Sequence, residues 1–218
     1  MLIPSTTLLC YRLNRMRYEK KFTFSSLLYD EVKESLLRSS YLFKEAFPPR
    51  RNNTLYLDNN TLGNYRDNIA GLSKRSKARL RWYTGKGNLS FDENTEFYLE
   101  IKIRKNFLGD KITEKISLPK NILEGSYQSL INFLIKSVSN NIKPFLTPCT
   151  ELSLGVSYDR EYYQSQSLDL RCTIDNNLIY WDITNNNSMK YSESNWIPHI
   201  MEYSVLEIKC DPETYRKI

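Results

Sequence analysis

The amino-acid sequence predicts an α+β chain: a mainly antiparallel sheet curled into a barrel or tunnel, with helices at its flanks. Three observations point there. Strand-like segments outnumber helical ones and are joined by turns rather than crossover helices, which is how antiparallel strands connect. Charged residues recur at every second position in residues 17–21, 77–83, 100–104, 158–160, 171–175 and 207–209. Successive strand side chains point to opposite faces, so each of these segments has one apolar and one ionic face. Finally, 218 residues with 16 tyrosines and only seven glycines fit one β-rich domain with a sizeable core.

Taken in order, residues 16–24 read as the first charged strand. A helix follows, capped by Ser25 or Ser26, with Leu27, Leu28, Val32, Leu36 and Leu37 at helical spacing. Pro48-Pro49 ends that block, residues 54–58 form a short strand, and a polar helical turn over 61–70 stops at Gly71. Residues 77–83 are the second charged strand, closed by the turn Gly85-Lys86-Gly87-Asn88. Residues 96–104 and 111–118 form a hairpin around 106–110. The best amphipathic helix spans 126–138, with Leu130, Ile131, Leu134, Ile135 and Val138 on one side, and Pro144 and Pro148 mark its exit loop. The remaining strands are 152–160, 167–174, 178–183 and 203–209, with Asp175-Asn176-Asn177 as a hairpin turn.

A formal charge of +6 and a pI near 9.0 call for an anionic partner. Cys10, Cys149, Cys172 and Cys210 are scattered without a CxxC pair, which argues for reduced intracellular thiols and against a zinc site. The single histidine, His199 after Pro198, reads as a loop residue. No apolar run reaches the roughly 18 residues of a membrane span. The start lacks the basic region of a signal peptide, so residues 1–15 are expected to be an N-terminal extension to a domain over 16–218.

The charges within each segment share parity. Lys77, Arg79, Arg81 and Tyr83 oppose Ala78, Leu80 and Trp82, while Glu100, Lys102 and Arg104 oppose Leu99, Ile101 and Ile103. Any one such strand alone is more often a solvated face. Their recurrence points to one functional surface. Several uncompensated cations in a dry interior would cost several kcal/mol each, so the hollow must hold water and anions. Arginine forks match phosphate oxygens, and lysine adds mobile charge. The glutamates either pair with these cations or hold a divalent metal that bridges phosphates.

The ordered blocks RYEKKF (17–22), LYLDN (55–59), KARLRWY (77–83), LEIKIRK (99–105), GDKITEK (109–115), SYDREYY (157–163), LRCTID (170–175) and VLEIK (205–209) resemble the VTC domain of polyphosphate polymerases, within the triphosphate tunnel metalloenzyme superfamily. The likeness runs over residues 16–210. It implies a tunnel of about eight antiparallel strands with outer helices, a basic lining that grips a triphosphate, and Mn2+ or Mg2+ on a glutamate. By motif, Lys21 lies near the transferred phosphoryl group, and Arg79, Arg81 and Lys102 grip phosphates. Lys115, with Lys111 as its rival one register away, matches the next strand's lysine. Tyr158, Arg160 and Arg171 match further binding positions, and Glu207 matches the metal glutamate. The charged strands add Lys77 and Lys209 to the phosphate-binding set and Glu19 and Glu100 to the metal candidates.

The family pattern continues into a terminal helix and a further basic segment, whereas this sequence stops at Ile218. Either a shortened protein, or a tunnel in which that wall is missing or supplied otherwise, is therefore expected. One glutamate, Glu19, stands where hydrolytic relatives carry two, which favours the polymerase branch. The expected activity is transfer of the γ-phosphoryl group of ATP to orthophosphate, pyrophosphate or a growing polyphosphate chain. The alternatives are an inorganic triphosphatase of the same fold and a non-catalytic polyphosphate-binding accessory module. A nucleic-acid partner is not expected. A cytoplasmic location, peripheral to a membrane through a protein partner, is the expectation for the cell.

Overall fold

The computed structural model describes residues 18–106, 108–183 and 198–216. The expected extension 1–15, with Cys10, lies outside the described residues, as do Met16 and Arg17 at the start of the first strand. The elements are β1 (Tyr18–Ser25), a 3-10 turn (Ser26–Leu28), α1 (Tyr29–Arg38), β2 (Phe43–Asp58), α2 (Gly63–Ile69), β3 (Lys74–Thr84), β4 (Phe97–Lys105), β5 (Leu108–Ile116), α3 (Lys120–Leu123), α4 (Tyr127–Ser137), α5 (Lys143–Leu146), β6 (Glu151–Ser165), β7 (Leu170–Asp182), β8 (Pro198–Ile200), β9 (Tyr203–Cys210) and α6 (Pro212–Tyr215). One sheet holds every strand, in the order β1-β9-β7-β6-β2-β3-β4-β5, with the short β8 beside β7. Every pairing is antiparallel. β1 and β5 are the two edges, so the ladder curls without hydrogen-bonding shut. Among the described residues no helix is long and apolar enough to cross a membrane.

The apolar parity of the strands builds the core on the convex side. Leu55, Leu57, Ala78, Leu80, Trp82, Leu99 and Ile101 pack there with Leu130, Ile131 and Leu134 of α4. Ser126 caps that helix, its Oγ accepting from the Ser129 N–H at 3.2 Å. Fully burying a side chain such as Leu80 or Leu99 contributes about 1.5–3 kcal/mol. This packing sends the odd-numbered residues of β3 and the even-numbered residues of β4 to the concave face. At Gly155 a Cβ would lie 2.7 Å from the Trp181 ring, so the indole needs that bare backbone.

Three elements differ from the sequence-based expectation. β2 runs straight through Pro48-Pro49 instead of ending there. The prolines sit in a bulge, where Phe47 opposes Tyr162 and Arg50 opposes Arg160, so the missing N–H groups interrupt no ladder bond. Asp175-Asn176-Asn177 is no hairpin turn; it is a bulge inside the single strand β7, with Asn177 at φ +50. Asparagine tolerates that left-handed conformation, and local side-chain bonds satisfy the bulge, so a turn-like sequence continues as strand. The Asn177 N–H donates to Asn176 Oδ1 at 2.7 Å and its Nδ2 to Asp159 Oδ2 at 2.9 Å. β8, which carries His199 opposite Tyr180, is too short to leave a periodic signal.

The convex side also carries a buried polar clamp. Arg51, 2% exposed, pairs with Asp159 at 3.2 Å and donates to the Asn177 carbonyl at 3.3 Å. Asp159 in turn accepts from the Gly87 N–H at 3.0 Å, tying the β3–β4 loop to β6. Gly87 holds that position at φ +75, a left-handed conformation that glycine adopts without steric cost. An apolar groove of about 800 Å³ opens on the same side between α1 and the β1–β9–β7 wall, lined by Phe22, Leu36, Phe43, Cys172 and Ile208. Its lining is mostly apolar, with only Lys20 and Glu31 charged, and the rows of cations lie on the other face of the sheet.

Candidate functional site

Register places the cations of separate strands in rows across the concave face. Lys77, Lys102 and Lys111 are directly cross-strand on β3, β4 and β5. Arg81 stands between Thr54 of β2 and Tyr98 of β4, and Arg79 between Tyr56 and Glu100. At the other edge, Lys21 pairs with Glu207, and Glu19 with Lys209 and then Arg171. The curl brings the two ends together. Burial lowers the Lys102 pKa, and its charge is further affected by Glu19, Lys21 and Lys209, which come from strands at the far end of the sheet order. Like charges in adjacent cross-strand positions destabilise a sheet, so a triple lysine row calls for an anion in front of it.

Two buried carboxylates organise the face. Glu100, 3% exposed, accepts from Arg79 Nε and Nη2 at 2.7 Å each, with Arg81 Nη1 at 3.5 Å and Lys111 Nζ at 3.2 Å. Burial alone would raise its pKa, but Arg81, Arg79 and Lys111 outweigh it and hold the carboxyl below its ordinary value. Glu207, 4% exposed, lies 2.8 Å from Lys209 Nζ, 3.8 Å from Lys21 Nζ and 3.6 Å from Arg160 Nη2. Here too burial opposes ionisation, and a hydrogen bond with Glu19 together with Lys209 and Lys21 overrides it, leaving the pKa well below the carboxylate range. Arg160 forks onto both oxygens of Asp175 at 2.6 Å and lies 5.0 Å from the Tyr158 ring. These pairs hold the guanidinium groups rigid before any ligand arrives.

The structure thus gathers Lys21, Arg79, Arg81, Lys102, Lys111, Tyr158, Arg160 and Lys209 onto one surface with Glu19, Glu100 and Glu207. Lys77 shares that surface at its exposed rim, in the row of Lys102. Lys115 is exposed and pairs with Glu96, whereas Lys111 reaches Glu100. Arg171 is half-exposed, 3.7 Å from Asp169. Sequence reasoning missed Asp175, the bidentate partner of Arg160, because it was assigned to a turn. It also missed Thr54, whose Oγ1 accepts from Arg81 Nε at 3.3 Å. It missed Asn52 and Thr173, whose buried Oδ1 and Oγ1 have no partner. Residues 50–54, Arg-Arg-Asn-Asn-Thr, carry no apolar alternation because the buried face of β2 is polar there, with Arg51 paired to Asp159, so no strand signal marks them in the sequence.

Two carboxylates and a hydroxyl, Glu207, Glu19 and Thr173, form an all-oxygen donor set of the kind Mg2+ and Mn2+ take. Thr173 sits directly cross-strand from Glu207 with its Oγ1 unsatisfied. Among the described residues no group of three or more His, Cys, Asp or Glu side chains that could hold a metal ion is found. Glu100, like Glu207, is contacted by three cations, but Arg79 holds one of its oxygens through both Nε and Nη2 at 2.7 Å.

A curled antiparallel sheet with a cation-rich concave face and fixed glutamates defines a phosphate-handling tunnel-type domain. Residues 16–218 match the model of the VTC domain, and the chain belongs to that family, whose fold is triphosphate tunnel metalloenzyme-like. No curated protein matches the chain in sequence. Among solved structures it is similar to the PH1819 protein from Pyrococcus horikoshii OT3, at 13% identity and a TM-score of 0.48, over 93% of this chain and 85% of that one. Membership supports a polyphosphate-related function of phosphotransferase type.

Proposed function

We propose that this domain transfers the γ-phosphoryl group of ATP to orthophosphate, pyrophosphate or the end of a polyphosphate chain. The observation that carries the reading is the convergence of Lys21, Arg79, Arg81, Lys102, Arg160 and Lys209 around two buried glutamates. Arg79 and Arg81 exchange Glu100 for phosphate oxygens, and Lys102, already partly desolvated, meets the γ-phosphate. Lys21 and Lys209 neutralise charge that builds on the bridging oxygen as its bond breaks. In-line positioning and charge stabilisation do most of the work in phosphoryl transfer. The acceptor is an anion at neutral pH, so no side chain has to remove a proton from it. A divalent ion held by Glu207 and Glu19, with Thr173 beside them, would supply further charge neutralisation on the phosphates.

The test is incubation of the folded protein with ATP and Mn2+, followed by sizing of the phosphate products. Chains that lengthen with time support the polymerase. Orthophosphate alone identifies a triphosphatase, and binding without turnover identifies an accessory module.

A further inference from the structure

We infer that the concave face carries a subsite for the heteroaromatic base of a nucleotide, one strand step beyond its arginines and built from Arg50, Tyr83, Tyr98 and Tyr162 with Asn52 beneath. The inference rests on the reading that the face takes a triphosphate. The Arg50 guanidinium lies 3.9 Å over the Tyr83 ring and 5.2 Å from the Tyr162 ring, and its Nε donates to Tyr162 Oη at 2.9 Å. Tyr83 and Tyr98 are ring neighbours at 5.9 Å. Beside Tyr162, the Phe47 ring stands edge-on and 66% exposed. Asn52 is cross-strand from both Tyr83 and Tyr158, is 1% exposed, and leaves its Oδ1 without a partner.

The placement fits one molecule. Tyr83 is two residues beyond Arg81, and Tyr162 two beyond Arg160, on the same face, a step of about 7 Å that a ribose bridges. The convex clamp between Arg51 and Asp159 fixes the register of β2, so Arg50 and Asn52 must face inward. Among the described residues no carboxylate lies within ion-pair distance of Arg50, which is exposed and whose planar cation rests on Tyr83 beside Tyr162, a platform suited to a further π surface. A bare phosphate chain gains nothing from four aromatic rings and an unpaired amide oxygen. A base with an exocyclic amine uses both: it stacks on Arg50 and donates to Asn52.

Calorimetric titration with ATP and with inorganic tripolyphosphate tests this. The variants Arg50→Lys and Tyr83→Leu keep the local charge and remove the plane or the ring. Each is expected to weaken ATP about tenfold or more, the order of one lost stacking contact, and to leave tripolyphosphate within about twofold. Tyr83→Phe, which keeps the ring, should bind ATP as the wild type does, and thermal unfolding checks that all variants fold. Equal weakening of both ligands, or unchanged ATP affinity in Arg50→Lys and Tyr83→Leu, overturns the base subsite while leaving the triphosphate reading intact. If neither ligand binds the wild-type protein, that reading fails and the subsite with it.

Discussion

In the proposed phosphate-binding reading Glu100 stands where a phosphate group would sit, and its replacement by glutamine tests that directly. The wild-type carboxylate compensates Arg79, Arg81 and Lys111 at 2.7, 3.5 and 3.2 Å. Removing one partner of a fully buried pair costs about 3–5 kcal/mol. The cations here are partly solvated, so about 2–3 kcal/mol is the better expectation, a fall in Tm on the order of 5–10 °C for a chain of this size. Tripolyphosphate offsets part of that loss. Each phosphate charge that approaches within about 4 Å of the site no longer meets a like charge, which is worth at least about 1 kcal/mol. Glu100→Gln is therefore expected to bind tripolyphosphate five- to tenfold more tightly than wild type and to recover about half of its lost Tm at saturating ligand. Calorimetry and thermal unfolding with and without ligand read both quantities. An unchanged Tm, or weaker tripolyphosphate binding, refutes the reasoning; a weakening seen only with Mn2+ would place Glu100 among the metal ligands instead.

Gly155→Ala drives a methyl group into the Trp181 ring and should destabilise the fold by about 1–3 kcal/mol, read by urea unfolding. The depressed pKa values of Glu100 and Glu207 stabilise the fold above the ordinary glutamate value of 4.5, and that stability is lost as pH falls through the lowered values. Acid unfolding between about pH 4.5 and 2 should accordingly be shallower in Glu207→Gln than in the wild type, followed by circular dichroism. Arg160→Lys keeps one charge but cannot span both oxygens of Asp175, and should weaken tripolyphosphate about tenfold while costing about 1 kcal/mol in stability.

The concave face was legible because alternation is a direct image of the pleat. Lys77, Arg79 and Arg81 against Ala78, Leu80 and Trp82 fix which side of β3 is wet before any coordinates are known, and the burial of all three apolar residues follows. What sequence reading could not supply is the partner of each cation. Lys111 and Lys115 have the same parity and flank Thr113, the cross-strand partner of Glu100, and only the placement of the side chains in the fold gives Glu100 to the first and Glu96 to the second. Bulges defeated the rest. Pro48-Pro49 and Asp175-Asn176-Asn177 carry strong turn chemistry, yet each is accommodated as one extra residue within a continuing strand. The residues just beyond them, Arg50 and Asn52 in one case and Asp175 itself in the other, were therefore assigned to the wrong kind of backbone.

The ladder partner of β1 is β9, and Tyr18 lies opposite Cys210. During synthesis the earliest strand therefore waits, unpaired, until the latest one has left the ribosome. Glu19 and Lys21 meet Glu207 and Lys209 only at that moment, and the Thr173 side of β7 stays a bare edge until then. The proposed centre is thus assembled only once β9 is made, and a nascent chain stalled before Tyr203 would carry its arginines, Glu19 and Glu100 without Glu207 and Lys209.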